Sequence, residues 1–126
     1  CKKRYGVDSD AKPCAGAEMF KMTTLEFIEK EAQKHAPYDC VLIDADHSLA
    51  SVRADFTGIL PFVSDEGIIA LHDTNPQTVP DPAPGYCGEA WKFAYSVWIA
   101  GMECLTLPYH PGLSLVRKRV KWGPEP

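Results

Sequence analysis

Long apolar runs are missing from this chain. Nothing in its 126 residues approaches the roughly 20 consecutive apolar residues that cross a bilayer. The chain opens on CKKRYG, without the apolar segment of a secretory leader, so no membrane association is expected. An excess of positive charge is missing too. Thirteen Lys and Arg face 17 Asp and Glu, a net charge of -4, which leaves no electrostatic footprint for nucleic acid. The two basic stretches, Lys2-Lys3-Arg4 and Arg117-Lys118-Arg119, are short and read as solvated surface charge. Cysteine pairs at metal-finger spacing are absent. Cys1, Cys14, Cys40, Cys87 and Cys104 are odd in number and form no CxxC, which argues against a zinc site or a disulfide framework. Free thiols suit a reducing cytoplasm. Cys40 and Cys104 stand in apolar runs and are expected in the core. There is no internal repeat and no low-complexity tract.

What is present is ordinary globular composition, 45% hydrophobic, enough for one domain with a modest core. Residues 1–17 show no periodicity and are read as irregular, residues 18–120 as one α/β domain, and residues 121–126 as a frayed tail. Within the domain, 18–22 is a short strand. Thr23-Thr24-Leu25-Glu26 is a capping box that opens a helix running to about His35, where Pro37 ends it. The continuous apolar run at 39–43 predicts a strand buried on both faces. Ser48 caps a helix over about 49–61, with Leu49, Val52, Phe56, Ile59 and Leu60 at helical spacing. Ser64-Asp65-Glu66-Gly67 is turn chemistry, and 68–71 is a second apolar strand. Six Pro and Gly residues mark 76–88 as a loop of the kind that often carries function. A helix follows over 89–100, with Trp91, Ala94, Tyr95 and Trp98 on one face, expected to pack into the core. Strands at 103–107 and 113–119 close the domain through Tyr109-His110-Pro111-Gly112.

Strand, helix, strand, helix, strand is the pattern of an α/β fold with a mainly parallel sheet. The apolar run Val41-Leu42-Ile43 ends in Asp44-Ala45-Asp46-His47, and Ile68-Ile69-Ala70-Leu71 ends in His72-Asp73-Thr74-Asn75. Asp44 and Asp73 stand 29 residues apart, close to the roughly 30 residues of a parallel crossover. Neighbouring strands lie about 5 Å apart, so both acids face one crevice at the sheet's carboxyl edge, where open α/β sheets bind ligands. Two carboxylates there can share a hard divalent cation such as Mg2+, with Asn75 adding a neutral oxygen. His47 can reach the same pocket as a general base. A simpler reading stays open: Asp46 or Ser48 only caps a helix, and His72 is a satisfied histidine at a strand end.

The segment YDCVLIDADHSLASVRADFTGILPFVSDEGIIALHDTN resembles the fourth strand, following helix and fifth strand of class I S-adenosylmethionine-dependent methyltransferases. It is most similar to the small-molecule O-methyltransferase branch with DxDH after the fourth strand and HDT after the fifth. The resemblance covers about residues 20–120. It implies a Rossmann-like sheet with a C-terminal antiparallel hairpin, S-adenosylmethionine as cofactor, and a small-molecule hydroxyl as acceptor. By the same resemblance Asp44, Ala45 and Asp46 flank the cofactor, Asp44 and Asp73 bind a divalent ion such as Mg2+, and His47 is the base. The third ion ligand falls on Asn75, one residue late, with Thr74 in the matching place. The family's glycine-rich loop and the acid after its second strand are not recognised upstream of DADHS. The chain is therefore expected to be the C-terminal half of such a domain, its central strand left as an open edge through which copies can associate. Two other readings fit part of the pattern. DxD after a strand also occurs in nucleotide-sugar glycosyltransferases and aspartate-nucleophile phosphatases, and a half-domain can persist as a non-catalytic binding module.

Overall fold

A computed structural model of the chain describes residues 2–77 and 87–118. The expectations for residues 78–86, most of the proline-rich loop, and for 119–126, which include the tail, lie outside the described residues. Six strands and four α-helices are present among the described residues. Strands β1 (Tyr5–Asp8) and β2 (Glu18–Lys21) form a parallel pair. Strands β3 (Tyr38–Ile43), β4 (Val63–His72), β5 (Cys104–Leu107) and β6 (Leu113–Arg117) form a second sheet in the order β3-β4-β6-β5. There β3 and β4 are parallel, while β6 runs antiparallel to both β4 and β5. The architecture is the expected α/β one, with parallel pairing and a C-terminal antiparallel hairpin.

The helices follow their local signals. Thr23 caps α1 (Thr24–Lys30), and Glu26 completes the capping box. The helix breaks at Glu31 and resumes as α2 (Ala32–His35), so the single helix expected here is two. Ser48 accepts a hydrogen bond from the Ser51 amide and caps α3 (Leu49–Ile59), which tightens into a 3-10 turn at Leu60–Phe62. Helix α4 is Ala90–Ile99. The core lies where α1, α3 and α4 meet the second sheet, around Phe27, Phe56, Ile59, Ile69, Leu71, Phe93, Val97 and Val116. Ile69 on the central strand β4 is wholly shielded from solvent.

Several expectations are corrected. Residues 1–17 are not wholly irregular: Tyr5–Asp8 is a strand, because Tyr5 to Asp8 pair residue by residue with Glu18 to Lys21. Strand periodicity over four residues is too short to see without its partner. Strand β3 is not buried on both faces. Cys40 and Leu42 are exposed, Leu42 by 60%, because they alternate onto the face opposite to Val41 and Ile43, which pack against the core. Cys40 is thus not a core residue, and Cys104 is only half-buried. Ser64 to Gly67 are not a turn ahead of β4; they bulge within it, where Tyr38 faces Val63 but Cys40 faces Ile68. On α4 the buried positions are Ala90, Phe93, Ala94 and Val97, whereas Tyr95 and Trp98 are exposed. Two apolar stripes of equal spacing run along this helix, one residue apart, and periodicity cannot rank them.

Candidate functional site

The site is built at the carboxyl ends of β3 and β4. Their register pairs Ile43 with Leu71. Continued by one residue, it sets Asp44 opposite His72 rather than opposite Asp73. Asp73 then leaves the strand with φ of +59°, a left-handed conformation that aspartate tolerates better than most residues. Such an outlier is held in place only by its surroundings. Asp73 is 7% exposed, and its Oδ2 lies 2.9 Å from His47 Nε2 and 3.1 Å from His72 Nδ1. Asp44 Oδ1 lies 3.3 Å from His72 Nδ1 and 3.7 Å from His47 Nε2. One donor atom each from Asp44, His47 and Asp73 falls within 4.8 Å of the others. The described residues therefore bring together two carboxylates and two imidazoles from the two strand ends.

The start of α4 braces His47 from behind. The Glu89 amide donates to the His47 carbonyl at 2.7 Å, and the Glu89 carboxylate accepts from the Leu49 amide at 3.3 Å. The Lys92 ammonium bonded to it and, to a smaller degree, the Leu49 amide hold the Glu89 carboxyl below the usual carboxylate range. Gly88 has φ of +56°, and a Cβ there would stand 2.6 Å from His47 Cβ. Only glycine fits this approach. Asp46 is exposed and bonds within its own loop. Its Oδ2 accepts from the Ser48 hydroxyl at 2.6 Å, and this bond leads the causes that lower its pKa. Ala45 is exposed in the same loop.

Asn75 is not brought to the cluster by any bond. Its side-chain amide donates to the Tyr109 carbonyl at 3.3 Å, and its backbone amide donates to Pro111 at 2.8 Å. Beside it, Ser114 donates to Thr74 at 2.8 Å and shares a 2.6 Å hydrogen bond with Thr106. This hydroxyl chain joins the residue after Asp73 to the far edge of the sheet. A cavity of about 660 Å3 opens there, lined among others by Thr74, Asn75, Trp91, Tyr95, Trp98 and Thr106.

Two residues are not singled out by sequence reasoning. Strand β1 ends on Asp8, an exposed acid whose Oδ1 accepts from the Asp10 amide at 2.7 Å. Its signal is Tyr5-Gly6-Val7-Asp8, a short apolar run ending in an acid. His72 is the other. The sequence allows a satisfied histidine here, but its Nδ1 is sealed from solvent and has no hydrogen-bond partner.

Comparison with known proteins agrees with this fold. Residues 4–74 match the family model described as a methyltransferase domain, and the chain belongs to that family. No curated protein matches. Among solved structures, the MycE methyltransferase from the mycinamycin biosynthetic pathway, in complex with Mg and SAH, superposes with a TM-score of 0.71 at 20% identity. The match covers 94% of this chain and 38% of that one. The complex of MycE with Mg, SAH and mycinamycin VI gives the same TM-score and identity, covering 94% of this chain and 36% of that one. SAH-bound PaMTH1, a methyltransferase of Podospora anserina, gives 0.59 at 19% identity over 81% of this chain and 49% of that one. The chain thus spans well under half the length of MycE and about half of PaMTH1. Among the described residues no helix is long and apolar enough to cross a membrane.

Proposed function

We propose that this chain is the acceptor- and ion-binding part of an S-adenosylmethionine-dependent O-methyltransferase that methylates a hydroxyl of a small molecule. The observation that carries the proposal is the convergence of Asp44, His47 and Asp73 within 4.8 Å at two neighbouring strand ends. Membership of the methyltransferase domain family supports it, and sets the glycosyltransferase and phosphatase readings aside. So does the likeness to MycE and PaMTH1, whose structures hold SAH, in MycE together with Mg. The mycinamycin bound to MycE favours a small-molecule acceptor.

The residues present fit a divalent ion. Asp44 and Asp73 offer carboxylate oxygens on rigid strand ends, and such an ion would lower the pKa of an acceptor hydroxyl beside it. His47 is the base. Asp73, 2.9 Å from Nε2, orients the imidazole and stabilises the imidazolium formed when the hydroxyl gives up its proton, as the carboxylate does in a hydrolase triad. Burial of Asp73 strengthens that interaction. The cofactor, when bound, supplies the methyl group.

The residues fit that cofactor in part. The loop Asp44-Ala45-Asp46 and Asp8, the latter suited to ribose hydroxyls, lie at carboxyl ends of strands. The sequence holds no glycine-rich run to cradle the methionine end, so no step is assigned to that end. Trp91, Tyr95 and Trp98 give the acceptor an apolar wall next to Thr74 and Asn75, and its volume is that of a small-molecule site. The four described free thiols suit a reducing compartment such as the cytoplasm. The edge of β3 that has no strand partner among the described residues favours a second reading alongside the first, association of two copies through that edge.

Calorimetric titration of the chain with S-adenosylmethionine, with and without a divalent ion, tests the proposal. Saturable binding that Asp44→Ala removes is the expected result. A folded chain that binds neither cofactor nor ion would refute it.

A further inference from the structure

We infer that His72, through Nδ1, is the third protein ligand of the divalent ion, in the role the sequence assigns to Asn75, and that the site therefore prefers a transition-metal ion to Mg2+. This rests on the ion-assisted reading above and extends it to the ion's identity. Asn75 is tied to a turn by its two N–H donor groups, whereas no hydrogen bond among the described residues joins it to the cluster. Its amide groups hold the Tyr109–Pro111 turn, and a Cβ on Gly112 would run into its backbone nitrogen, so the turn is packed tightly against it.

His72 is the opposite case. Its Nδ1 is shut from water and makes no hydrogen bond, though it lies 3.3 Å from Asp44 Oδ1 and 3.1 Å from Asp73 Oδ2. The separations are short enough for bonding, but the directions are wrong. A buried nitrogen left in this way is unfavourable unless something satisfies it. Close approach without a direct bond is the relation of neighbouring ligands around one centre. At metal–ligand distances of about 2.0–2.2 Å, adjacent ligand atoms stand roughly 3.0–3.5 Å apart. Both His72 contacts fall in that span. The strand register is the cause, because it sets His72 across from Asp44 and next to Asp73.

The donor set then becomes two carboxylates and one imidazole, with His47 left as base. Mg2+ takes oxygen ligands almost exclusively, whereas imidazole suits Zn2+, Ni2+ and iron, and mixed nitrogen–oxygen sets bind first-row divalent ions well. Mn2+ is the convenient probe, since it is paramagnetic and tolerates oxygen-rich sites.

The test is Mn2+ titration of the full chain, followed by the electron paramagnetic resonance of free Mn2+, with spin-echo modulation reporting coordinated 14N. Mn2+ is expected to bind at least about 10-fold more tightly than competing Mg2+, with nitrogen modulation present. His72→Gln should abolish the modulation and weaken Mn2+ by about 10-fold or more, while Asn75→Ala leaves affinity unchanged. His47→Gln should keep the modulation. His72→Asp, an all-oxygen set, should restore binding and shift preference towards Mg2+. Far-UV circular dichroism verifies folding of each variant. Undiminished Mn2+ affinity in folded His72→Gln, loss of modulation in His47→Gln instead, or no ion binding by the folded chain would each overturn the inference. If Mn2+ binds through His72 but S-adenosylmethionine does not bind, the ligand assignment stands and the methyltransferase reading fails. If the cofactor binds and no ion does, the ligand assignment fails and the methyltransferase reading stands.

Discussion

The two edges of β3 are unlike. One is hydrogen-bonded to β4 and ends in a crevice furnished with Asp44, His47, His72 and Asp73. The other has no strand partner among the described residues, and Leu42 stands exposed on the strand. The separate β1–β2 pair touches the start of β3 through the edge-on contact of Tyr5 with Tyr38, ring centroids 6.2 Å apart. A strand reading YDCVLI has the composition of a central strand. The proposed acceptor and ion side of the strand-end site is thus assembled while the neighbouring side has no sheet partner among the described residues.

The largest effect expected from breaking the furnished side is on chemistry. In a radiolabelled methyl-transfer assay, His47→Gln should lower turnover by about 10²–10⁴-fold, the usual contribution of a general base, with ion affinity nearly unchanged. Next comes the packing beneath it. Ile69→Ala on the paired side should cost about 2–5 kcal/mol by urea denaturation, whereas Leu42→Ala, on the exposed strand, should stay within about 0.5 kcal/mol. Equal costs at the two positions would mean that Leu42 is covered in solution. Gly88→Ala should destabilise by about 1–3 kcal/mol, because its Cβ meets His47. It should also weaken ion binding by displacing the loop; normal affinity would show that the brace is dispensable.

The smallest effect concerns Asp55, buried under α1 and accepting a hydrogen bond from Thr24. Burial raises its pKa above the ordinary value, against the lowering effect of that bond. A carboxyl with a raised folded pKa stabilises the fold fully below its unfolded pKa and loses that contribution as pH rises through the folded value. Asp55→Asn should therefore be more stable than the parent at pH 7, with the gap closing towards pH 3. A gap that widens on acidification would show that the charged form is the favoured one.

Local signals carry much of this structure, and where they fail the causes are physical. The capping box at Thr23, the Ser48 cap and the apolar spacing of α3 read correctly, since each depends on neighbours within one helical turn. The Trp91, Tyr95 and Trp98 stripe reads as core and is not, because only packing against the sheet ranks two stripes of equal period. Asp8 is hidden because a four-residue strand needs its partner to be seen. Asn75 looks like a ligand by its place in the motif, and its bonds to the β5–β6 turn, made by its N–H groups, are tertiary and not legible in the motif.

Two apolar strands at crossover spacing, each ending in acid and histidine, are written in the residues themselves, and with them the expectation of a strand-end site. That information is local: hydrophobic runs, caps and a spacing close to one βαβ unit. Which of those side chains meet is settled only in three dimensions. The register of β3 on β4 sets His72 opposite Asp44, and the left-handed turn at Asp73 brings its carboxylate to both histidines. Neither register nor turn is written in any single segment, because each is fixed by residues tens of positions apart.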